Sequence, residues 1–326
     1  MRHSRSRQVL GLTAGLTLFT ALAACSEGDP GSGGGGEDGG GAMGDGEFDQ
    51  IGFMAQDMSN PFFQAMEEGI VAEAENMGVE VNTQDGRQDL NAQNEQIDTF
   101  IQQGVDAILI NAVDSEGIGP AVERAVEAGI VVVAVDVTAE NAMATVTLDN
   151  VQAGEVACEY LVEQVGGSGN ILLIDGTPIS SVQDRVEGCQ GVLDENPDVE
   201  VVGHQNGDNG RSEALSITAD LLTAHPDVVG IFGINDPTAL GAMLAAQQAG
   251  YDDLVIVGVD ASPEAVDALE QDTMFMGSAK QDPNTQGSIG LQMARDLFNG
   301  EELEEEMVLV PTEMLTRENL DEYEGW

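Results

Sequence analysis

The sequence predicts an α/β protein built of two similar doubly wound lobes, each a mostly parallel sheet with helices on both faces. Short apolar runs alternate with longer amphipathic segments after residue 47, which is typical of parallel strands joined by covering helices. The pattern supplies about eleven strands, more than one sheet of this length holds comfortably, and it restarts after Asn150. A chain of 326 residues is also long enough for two domains.

The predicted strands are the apolar runs bounded by turn residues. In chain order they are Gln50–Ala55, Val79–Thr83, Ala107–Asn111, Val131–Val137, Thr145–Leu148, Ile171–Asp175, Val199–Gln205, Gly230–Asn235, Leu254–Asp260, Phe275–Ala279 and Met307–Val310. The first helix is predicted from apolar residues at helical spacing ahead of a glycine that can end it: Phe63, Met66, Ile70, Ala74, Met77 and Gly78. The last helix, near Gly287–Phe298, and the strand after it would let the chain cross between the lobes again.

Residues 1–24 are predicted to be an export signal, because three arginines precede an apolar run from Val9 to Ala24 and no acidic residue is present. The run ends in Leu22-Ala23-Ala24-Cys25, which resembles a bacterial lipobox and implies a lipid on Cys25; the alternative is an ordinary signal with a chance cysteine. Residues 25–47 are mostly glycine with serine and acids and are predicted to be a flexible tether. Together these segments predict a protein held by a lipid at the outer face of the cell membrane, without spanning it.

The protein is strongly acidic, with 59 acidic against 10 basic residues and a formal net charge of −49. Nucleic-acid binding and docking on anionic membranes are excluded as main roles, since both need clustered basic residues. Acids spread along the whole chain and a single lysine, Lys280, indicate a solvated surface suited to a salty medium. The alternative of calcium loading lacks the D-x-[DN]-x-[DN]-G loop that it would need.

Two cysteines remain beyond the signal and Cys25, namely Cys158 and Cys189, each in a segment predicted to be a helix beside one strand. In an exported protein a disulfide between them is one interpretation, and two buried free thiols are the other. No C-x-x-C pair or Cys/His spacing suggests zinc, and we expect no metal or cofactor.

Polar residues follow the ends of the predicted strands in a consistent way. Ligands of open parallel sheets bind beyond the carboxyl ends of the strands, so these residues are the candidate site. Amides and carboxylates dominate among them: Gln56, Asp57, Asn60, Asn111, Asp136, Asn235, Asp260 and Gln281. Adjacent hydroxyls of a sugar match the two oxygens of a carboxylate or the donor and acceptor of an amide. The set therefore predicts binding of a small polyol.

Three further residues complete the predicted site. Arg185 is a fixed donor fork, and Phe62 and Phe63 can lie against the apolar face of a sugar ring. Each candidate also has a simpler interpretation. A strand-end Asp or Asn often only caps the next helix, the two phenylalanines are then core residues, and Arg185 pairs with Asp184 or Glu187.

Catalytic motifs are absent from the sequence. It contains no G-x-S-x-G, H-E-x-x-H or Walker A motif, no glycine fingerprint between a strand and a helix, and no nucleophile–base pair at the strand ends. His204 and His225 lie in segments predicted to be lobe surface. We therefore expect binding without turnover.

Seven segments carry a resemblance to a known family. They are Asn60-Pro61-Phe62-Phe63, Ile108-Leu109-Ile110-Asn111, Val133-Ala134-Val135-Asp136, Asp184-Arg185-Val186-Glu187-Gly188, Leu221-Leu222-Thr223-Ala224-His225-Pro226-Asp227, Ile234-Asn235-Asp236 and Val257-Gly258-Val259-Asp260. In this order they resemble the periplasmic ribose-binding protein family, the type I sugar-binding proteins of ABC importers. The resemblance covers Phe48 to about Asn319.

The resemblance implies a periplasmic binding protein type I fold with the ligand held between the lobes. The family's ligand positions fall on Asn60, Phe62, Phe63, Asn111, Asp136, Arg185, Asn235, Asp260 and Gln281. Its hinge of three crossover strands falls near Leu148–Asn150, Gln281–Asp282 and Val310–Thr312. This hinge divides the chain into an N-terminal lobe of residues 48–148 and 282–310 and a C-terminal lobe of residues 149–281 and 311–326.

Two departures from the family pattern bear on the ligand. Val137 stands where ribose binders place an arginine, and Asn209 stands where they place a second aromatic residue. With Gln56 and Asp57, these two are weaker candidates for ligand contact. One donor fork and one stacking face are missing, which favours another pentose, a hexose, an inositol or a linear polyol over ribose.

The expected function is that of a monomeric extracytoplasmic protein that captures a monosaccharide or polyol by hinge closure and delivers it to an ABC transporter permease. An alternative with the same fold is a sensor subunit that acts through a membrane receptor. A transcription regulator of this fold would need an N-terminal DNA-binding helix pair and a basic face. A secreted glycosidase would need paired acid and base carboxylates.

Overall fold

The computed structural model describes residues 46–326. The predicted export signal, the lipidation of Cys25 and all but the last two residues of the predicted tether lie outside the described residues. Among residues 46–326, no helix combines the length and the apolar character needed to cross a membrane.

Strands and helices alternate along the described chain. The strands are β1 (Gln50–Ala55), β2 (Glu80–Asp85), β3 (Ala107–Ile110), β4 (Val131–Val135), β5 (Ala144–Leu148), β6 (Gly169–Asp175), β7 (Val199–Asn206), β8 (Val228–Gly233), β9 (Val255–Asp260), β10 (Phe275–Lys280), β11 (Met307–Val310) and β12 (Met314–Thr316). The helices are α1 (Pro61–Met77), α2 (Leu90–Gln103), α3 (Gly119–Glu127), α4 (Asn150–Gln164), α5 (Ser180–Glu195), α6 (Arg211–Ala224), α7 (Asp236–Ala249), α8 (Pro263–Glu270) and α9 (Pro283–Phe298). A short 3-10 turn, Leu320–Glu322, follows β12.

The strands form two six-stranded sheets, one in each lobe. The first has the order β11-β5-β4-β3-β1-β2, and every neighbouring pair is parallel. The second has the order β12-β10-β9-β8-β6-β7 and is parallel except for β12, which runs antiparallel to β10. The predicted fold class, two doubly wound α/β lobes, is confirmed.

Helices cover both faces of the sheets, because successive strand residues point to opposite sides. In β1, Phe53 packs into an apolar cluster with α1 and α9, whereas Met54 packs into a second cluster with α2 and α3. That second cluster continues into the second lobe through α4 and α5. A third cluster fills the outer side of the second sheet.

Several strand ends differ from the sequence prediction. β3, β4 and β8 end one or two residues before their predicted bounds, which leaves Asn111, Asp136 and Asn235 in the following loops. For Asp136 the reason is its φ of 67°, which a β-strand does not contain. β12 escapes sequence prediction because it spans only three residues and buries a single side chain, Leu315.

The chain passes between the two sheets three times, from β5 to α4, from β10 to α9 and from β11 to β12. Helix α9 packs against α1 and returns the chain to the first lobe, where β11 then pairs with β5. The three passages lie at the segments that the family resemblance marks as the hinge. Carboxyl ends of both sheets consequently meet across one cleft.

Helices α4 and α5 pack closely beside this cleft. A methyl group added at Gly154 or Gly188 would lie 2.0 Å from a backbone oxygen of the opposite helix, so only glycine permits the observed approach. The same approach places Cys158 of α4 beside Cys189 of α5, and in the structure their sulfur atoms are bonded, with the Cα atoms 5.1 Å apart.

Candidate functional site

A cavity of about 470 Å³ lies between the lobes, at the carboxyl ends of the two sheets. Its first-lobe wall comes from the loops after β1 and β4, and its second-lobe wall comes from α5 and the residues that follow β7 to β10. Eleven residues predicted for the site line it: Gln56, Asp57, Asn60, Phe62, Phe63, Asp136, Arg185, Asn209, Asn235, Asp260 and Gln281. Most of the strand-end residues are thus brought together.

The start of α1 forms the aromatic part of the first-lobe wall. Asn60 caps this helix, because its Oδ1 accepts the backbone N–H of Phe62 at 3.0 Å. The rings of Phe62 and Phe63 meet edge to face with centroids 5.3 Å apart, and both line the cavity. Both rings also belong to the first-lobe core. Asn60 therefore both caps α1 and lines the cavity. Phe62 and Phe63 are likewise core residues of the first lobe and residues of the cavity wall.

Asp136 lines the cavity from the loop after β4, and Asn111 holds it from behind. Asn111 Nδ2 donates to Asp136 Oδ2 at 3.0 Å and to the backbone oxygen of Val135 at 2.9 Å. Asn111 is itself fully buried and does not line the cavity. Its predicted place as a ligand contact is therefore corrected to a supporting position, since β3 ends one residue before it and leaves its amide directed at the Asp136 carboxylate.

Val137 also lies away from the cavity. Its side chain is fully buried in the apolar cluster that packs beneath α2 and α3. The weaker prediction of ligand contact at this position is corrected as well, because an aliphatic side chain gains more from burial in the core than from a polar wall.

Arg185 projects from α5 into the centre of the second-lobe wall and is 5% exposed. Its Nε donates to Asn150 Oδ1 and its Nη1 donates to the backbone oxygen of Ile234, both at 2.9 Å. Its Nη1 also lies 3.6 Å from Asp260 Oδ1. The alternative partners Asp184 and Glu187 make no ion pair with it, because Arg185 occupies the buried face of α5.

Two side-chain amides link Asp260 of the second lobe to helix α9 of the first lobe. Gln281 Nε2 donates to Asp260 Oδ1 at 2.7 Å, and Gln286 Nε2 donates to Gln281 Oε1 at 3.0 Å. Gln286 lies on α9, which packs on the first sheet, whereas Asp260 ends β9 of the second. One hydrogen-bonded chain thus joins the second-lobe wall to a first-lobe helix.

Asn235 and Asn209 complete the second-lobe wall. Asn235 caps α7 by accepting the backbone N–H of Thr238 at 3.0 Å, and its Nδ2 donates to the backbone oxygen of Asn209 at 3.2 Å. Asn209 lines the cavity, but its Oδ1 is buried against Gly176 without a hydrogen-bond partner among the described residues.

Three buried polar residues support the wall but are not among the predicted ligand contacts: Asn150, Asp236 and Gln286. Asp236 accepts from the Ser278 hydroxyl and from the Ser262 backbone N–H, both at 2.6 Å. Asp236 follows Asn235 directly and Asn150 closely follows β5, so both carried the strand-end signal. Gln286 carried none, because it lies within α9 and not at the end of a strand.

Burial dominates the electrostatics of the site. Together with the nearby Asp260 carboxylate, burial raises the pKa of Asp236 to about 8. Burial also raises the pKa of Asp260 to about 6, against the opposing effects of Arg185 and Gln281. The pKa of Asp136 is raised for the same reason, and Arg185 and Asn111 oppose the shift. The buried guanidinium of Arg185 thus favours the charged forms of two of these three buried carboxyl groups, Asp136 and Asp260.

This arrangement is suited to hydrogen bonding rather than to catalysis. Within residues 46–326 no three His, Cys, Asp or Glu side chains are grouped so as to hold a metal ion. His204 is exposed and paired with Asp175, His225 is half-buried, and neither lines the cavity. The wall instead offers carboxylate and amide acceptors, one fixed donor fork and an aromatic face, which match the hydroxyls and C–H surface of a polyol.

Known proteins share this architecture. A family model described as "Periplasmic binding protein domain" matches residues 51–302. The chain belongs to the periplasmic binding protein family. The ribose import binding protein of Bacillus subtilis (strain 168) is 32% identical to this periplasmic binding protein over 257 residues, which cover 78% of this chain and 83% of the relative. The xylitol-binding protein of Mycolicibacterium smegmatis is 30% identical over 276 residues, which cover 83% of this chain and 78% of that protein.

Among solved structures, an ABC transporter solute-binding protein from Bacillus halodurans C-125 with bound myo-inositol superposes with a TM-score of 0.80 at 29% identity. The match covers 86% of this periplasmic binding protein and 99% of that chain. Family members are extracytoplasmic, non-enzymatic solute-binding proteins. This periplasmic binding protein is accordingly not an enzyme, and its homologues support a role in binding sugars.

Proposed function

We propose that this chain is the substrate-binding protein of an ABC importer, which captures a monosaccharide or polyol between its lobes and delivers it to the permease. The observation that carries the proposal is the buried polar wall between the lobes, where Asp136 and Asp260 flank Arg185. Ligand hydroxyls donate to the two carboxylates and accept from the guanidinium, while Phe62 and Phe63 cover an apolar face. The cavity volume of about 470 Å³ falls in the usual range of small-molecule sites.

The charges of the wall favour a neutral ligand. Among residues 46–326 Arg185 is the only buried arginine, and it acts on the carboxylates of Asp136 and Asp260; the other arginine on the cavity wall, Arg211, is paired with Glu264. An anionic sugar would place a further negative charge beside these carboxylates, with little water to screen the repulsion. Ribose, xylitol and myo-inositol, the compounds named for the relatives, are neutral and carry several hydroxyls each.

Titration calorimetry tests the proposal. Full-length protein is titrated at high salt with D-ribose, xylitol, myo-inositol and D-allose, with D-glucuronate as the anionic comparison and L-leucine as a control. We expect at least one neutral compound to bind and the anion to bind more weakly or not at all. Absence of binding by every neutral compound, in a sample that melts cooperatively, would contradict the proposed ligand class.

Asp260→Asn tests the site itself. The substitution keeps the shape of the side chain but removes the negative acceptor, and loss of such a buried contact costs about 2–5 kcal/mol, or roughly 30-fold to several-thousand-fold in affinity. Asp252→Asn is the matched control, because Asp252 is exposed, precedes β9 at the end opposite to Asp260 and does not line the cavity. Equal affinity of both variants for the bound compound would remove Asp260 from the site.

Identification of the membrane partner distinguishes the import function from the sensor alternative. Cross-linking of the ligand-loaded protein in native membranes should capture an ABC permease, and capture of a receptor kinase instead would support the sensor alternative. Both outcomes leave the ligand site unchanged.

The proposed lipid anchor rests on Cys25. Cys25→Ala should shift the protein from the membrane fraction to the soluble fraction, because a lipid chain and a tether without a membrane span would be the sole attachment. Retention of the variant in the membrane fraction would contradict lipid anchoring at this residue.

A further inference from the structure

The segment Leu320–Trp326 contacts both lobes. Leu320 and Tyr323 pack on the apolar cluster of the second lobe, which contains residues of β8, β9 and α7. Trp326 packs instead on the first-lobe cluster that contains Phe62. The segment therefore spans the cleft, and no sequence pattern singles it out.

Trp326 joins one residue from each wall of the cavity. Its ring meets the Phe62 ring edge to face, with centroids 6.0 Å apart and an interplanar angle of 88°. Its indole Nε1 donates to the backbone oxygen of Asp260 at 2.9 Å. Trp326 does not itself line the cavity, so it acts on the site through these two neighbours.

The backbone at Asp260 needs such support. Asp260 and Ala261 have φ values of 123° and 55°, which residues with a side chain rarely adopt. The Trp326 indole holds the carbonyl of Asp260, and the Tyr323 hydroxyl donates to the carbonyl of Ala261 at 3.0 Å. Two aromatic donors from one segment thus fix two consecutive peptide groups at the residue that carries the central carboxylate.

We propose that Trp326 is a positioning residue that couples Phe62 of the first lobe to Asp260 of the second and favours the closed arrangement of the lobes. Opening of the cleft separates Phe62 from Asp260, so Trp326 then loses either its aromatic contact or its hydrogen bond. The effect on ligand affinity rests on the proposed function, whereas the effect on lobe closure does not require a ligand.

The closed arrangement can be trapped without any ligand. Ser115 belongs to a first-lobe loop and Ser180 begins α5 of the second lobe, and the Ser180 backbone nitrogen lies 3.3 Å from Ser115 Oγ. In full-length protein carrying Ser115→Cys and Ser180→Cys, glutathione disulfide oxidises the new pair only when the lobes are closed. The rate of cross-lobe bond formation therefore reports the closed population even when that population is small.

Three variants are compared in this background. Trp326→Ala removes both contacts and should slow trapping at least fivefold. Trp326→Phe keeps an aromatic ring but loses the indole donor, and it should lie between Trp326→Ala and the parent. Tyr323→Phe is the matched control, because it loses a hydrogen bond that lies within the second lobe, and its trapping rate should stay within twofold of the parent.

Melting temperatures separate a positioning role from simple destabilisation. A structural role alone would lower the melting temperature of Trp326→Ala and leave the trapping rate at the parent value, which would overturn the proposal. If Trp326→Ala does not fold, Trp326→Phe decides, and a trapping rate equal to the parent would overturn the proposal in the same way.

Ligand measurements then distinguish this proposal from the proposed function. Trp326 is the only tryptophan of the chain, so binding of D-ribose, xylitol, myo-inositol or D-allose should change the intrinsic emission, and Trp326→Ala should bind the same compound at least tenfold more weakly through faster dissociation. If none of these compounds binds but trapping depends on Trp326, the coupling stands and the proposed function fails. If a compound binds while trapping and affinity are both independent of Trp326, the function stands and the coupling is refuted.

Discussion

Replacement of Arg185 by methionine should destabilise the protein much more at pH 8 than at pH 5. Arg185 is the buried cation that opposes the effect of burial on Asp136 and Asp260, and it donates to Asn150 as well. Methionine has a similar length and no charge, so the variant keeps most of the packing but loses the positive charge that compensates the buried carboxylates. The result tests whether the wall is organised around one guanidinium.

The magnitude follows from the burial of the carboxyl groups. Removal of one partner from a buried ion pair costs about 3–5 kcal/mol, because the other charge stays uncompensated. Arg185 lowers the pKa of Asp260 and Asp136 against the effect of burial, so these pKa values rise further in the variant. At pH 5 the carboxyl groups then bind protons and become neutral, and the loss of stability should be smaller by about 1–2 kcal/mol, since one pKa unit corresponds to roughly 1.4 kcal/mol.

The sign of the pH dependence comes from proton binding. A carboxyl group with a raised pKa holds its proton in the folded state over a range in which the unfolded chain has already released it. The free energy of unfolding therefore falls as pH rises from about 4 to the folded-state pKa. Because Arg185→Met raises that pKa, its stability should fall more steeply with pH than that of the wild type.

Urea unfolding at pH 5 and pH 8 measures both effects, at one fixed salt concentration because the chain carries a net charge of −49. Arg185→Lys keeps a cation without the fork and should lose less stability than Arg185→Met at pH 8. Arg124→Met is the control, because Arg124 pairs with Asp98 on the surface and its removal should cost less than about 1 kcal/mol at either pH. Equal losses for Arg185→Met at the two pH values would refute the reasoning.

Three further predictions concern stability. Gly188→Ala should lower the free energy of unfolding by about 1–3 kcal/mol, because its methyl group would lie 2.0 Å from a backbone oxygen of α4. Gly191→Ala on the same helix meets nothing within 4 Å and should raise the free energy of unfolding by about 0.5–1 kcal/mol. Urea unfolding of the two variants checks this difference. Replacement of Cys158 and Cys189 by serine should cost about 2–4 kcal/mol, because their bond closes a loop with a sequence separation of 31 residues, and mass spectrometry of alkylated protein should find no free thiol at either position in the parent. Asp236→Asn should flatten the decline in stability between about pH 4 and pH 8, since burial raises the pKa of this carboxyl to about 8, and an unchanged pH profile in urea unfolding would contradict the assigned shift.

Local pattern predicted the strands because each is a short apolar run whose burial follows from its own residues. β1 and β11 have the predicted bounds, while β3, β4 and β8 end before their predicted last residues because the polar residues there leave the strand conformation. A single inward residue, Leu315, is too little periodic signal to predict β12.

Support behind the cavity wall was not predictable from local pattern. Asn111 and Asp136 follow their strands in the same way, yet one is buried behind the other. Gln286 lies within a helix and Trp326 follows the last strand. Neither local sequence predicts the hydrogen bond that the residue makes to the cavity wall. Which polar side chain faces a cavity and which one holds it depends on distances between elements far apart in sequence.

The sequence by itself determined the fold class, the restart of the pattern at Asn150 and the chemical composition of the cavity wall. These properties are local, because strand periodicity and the residue after each strand are set within a few positions of the chain. Only the tertiary structure decided that Arg185 pairs with Asp260, that Asp236 and Gln286 lie behind the wall, and that Trp326 bridges the lobes. The physical reason is that burial and partner choice arise when distant segments exclude water together, which no single segment encodes.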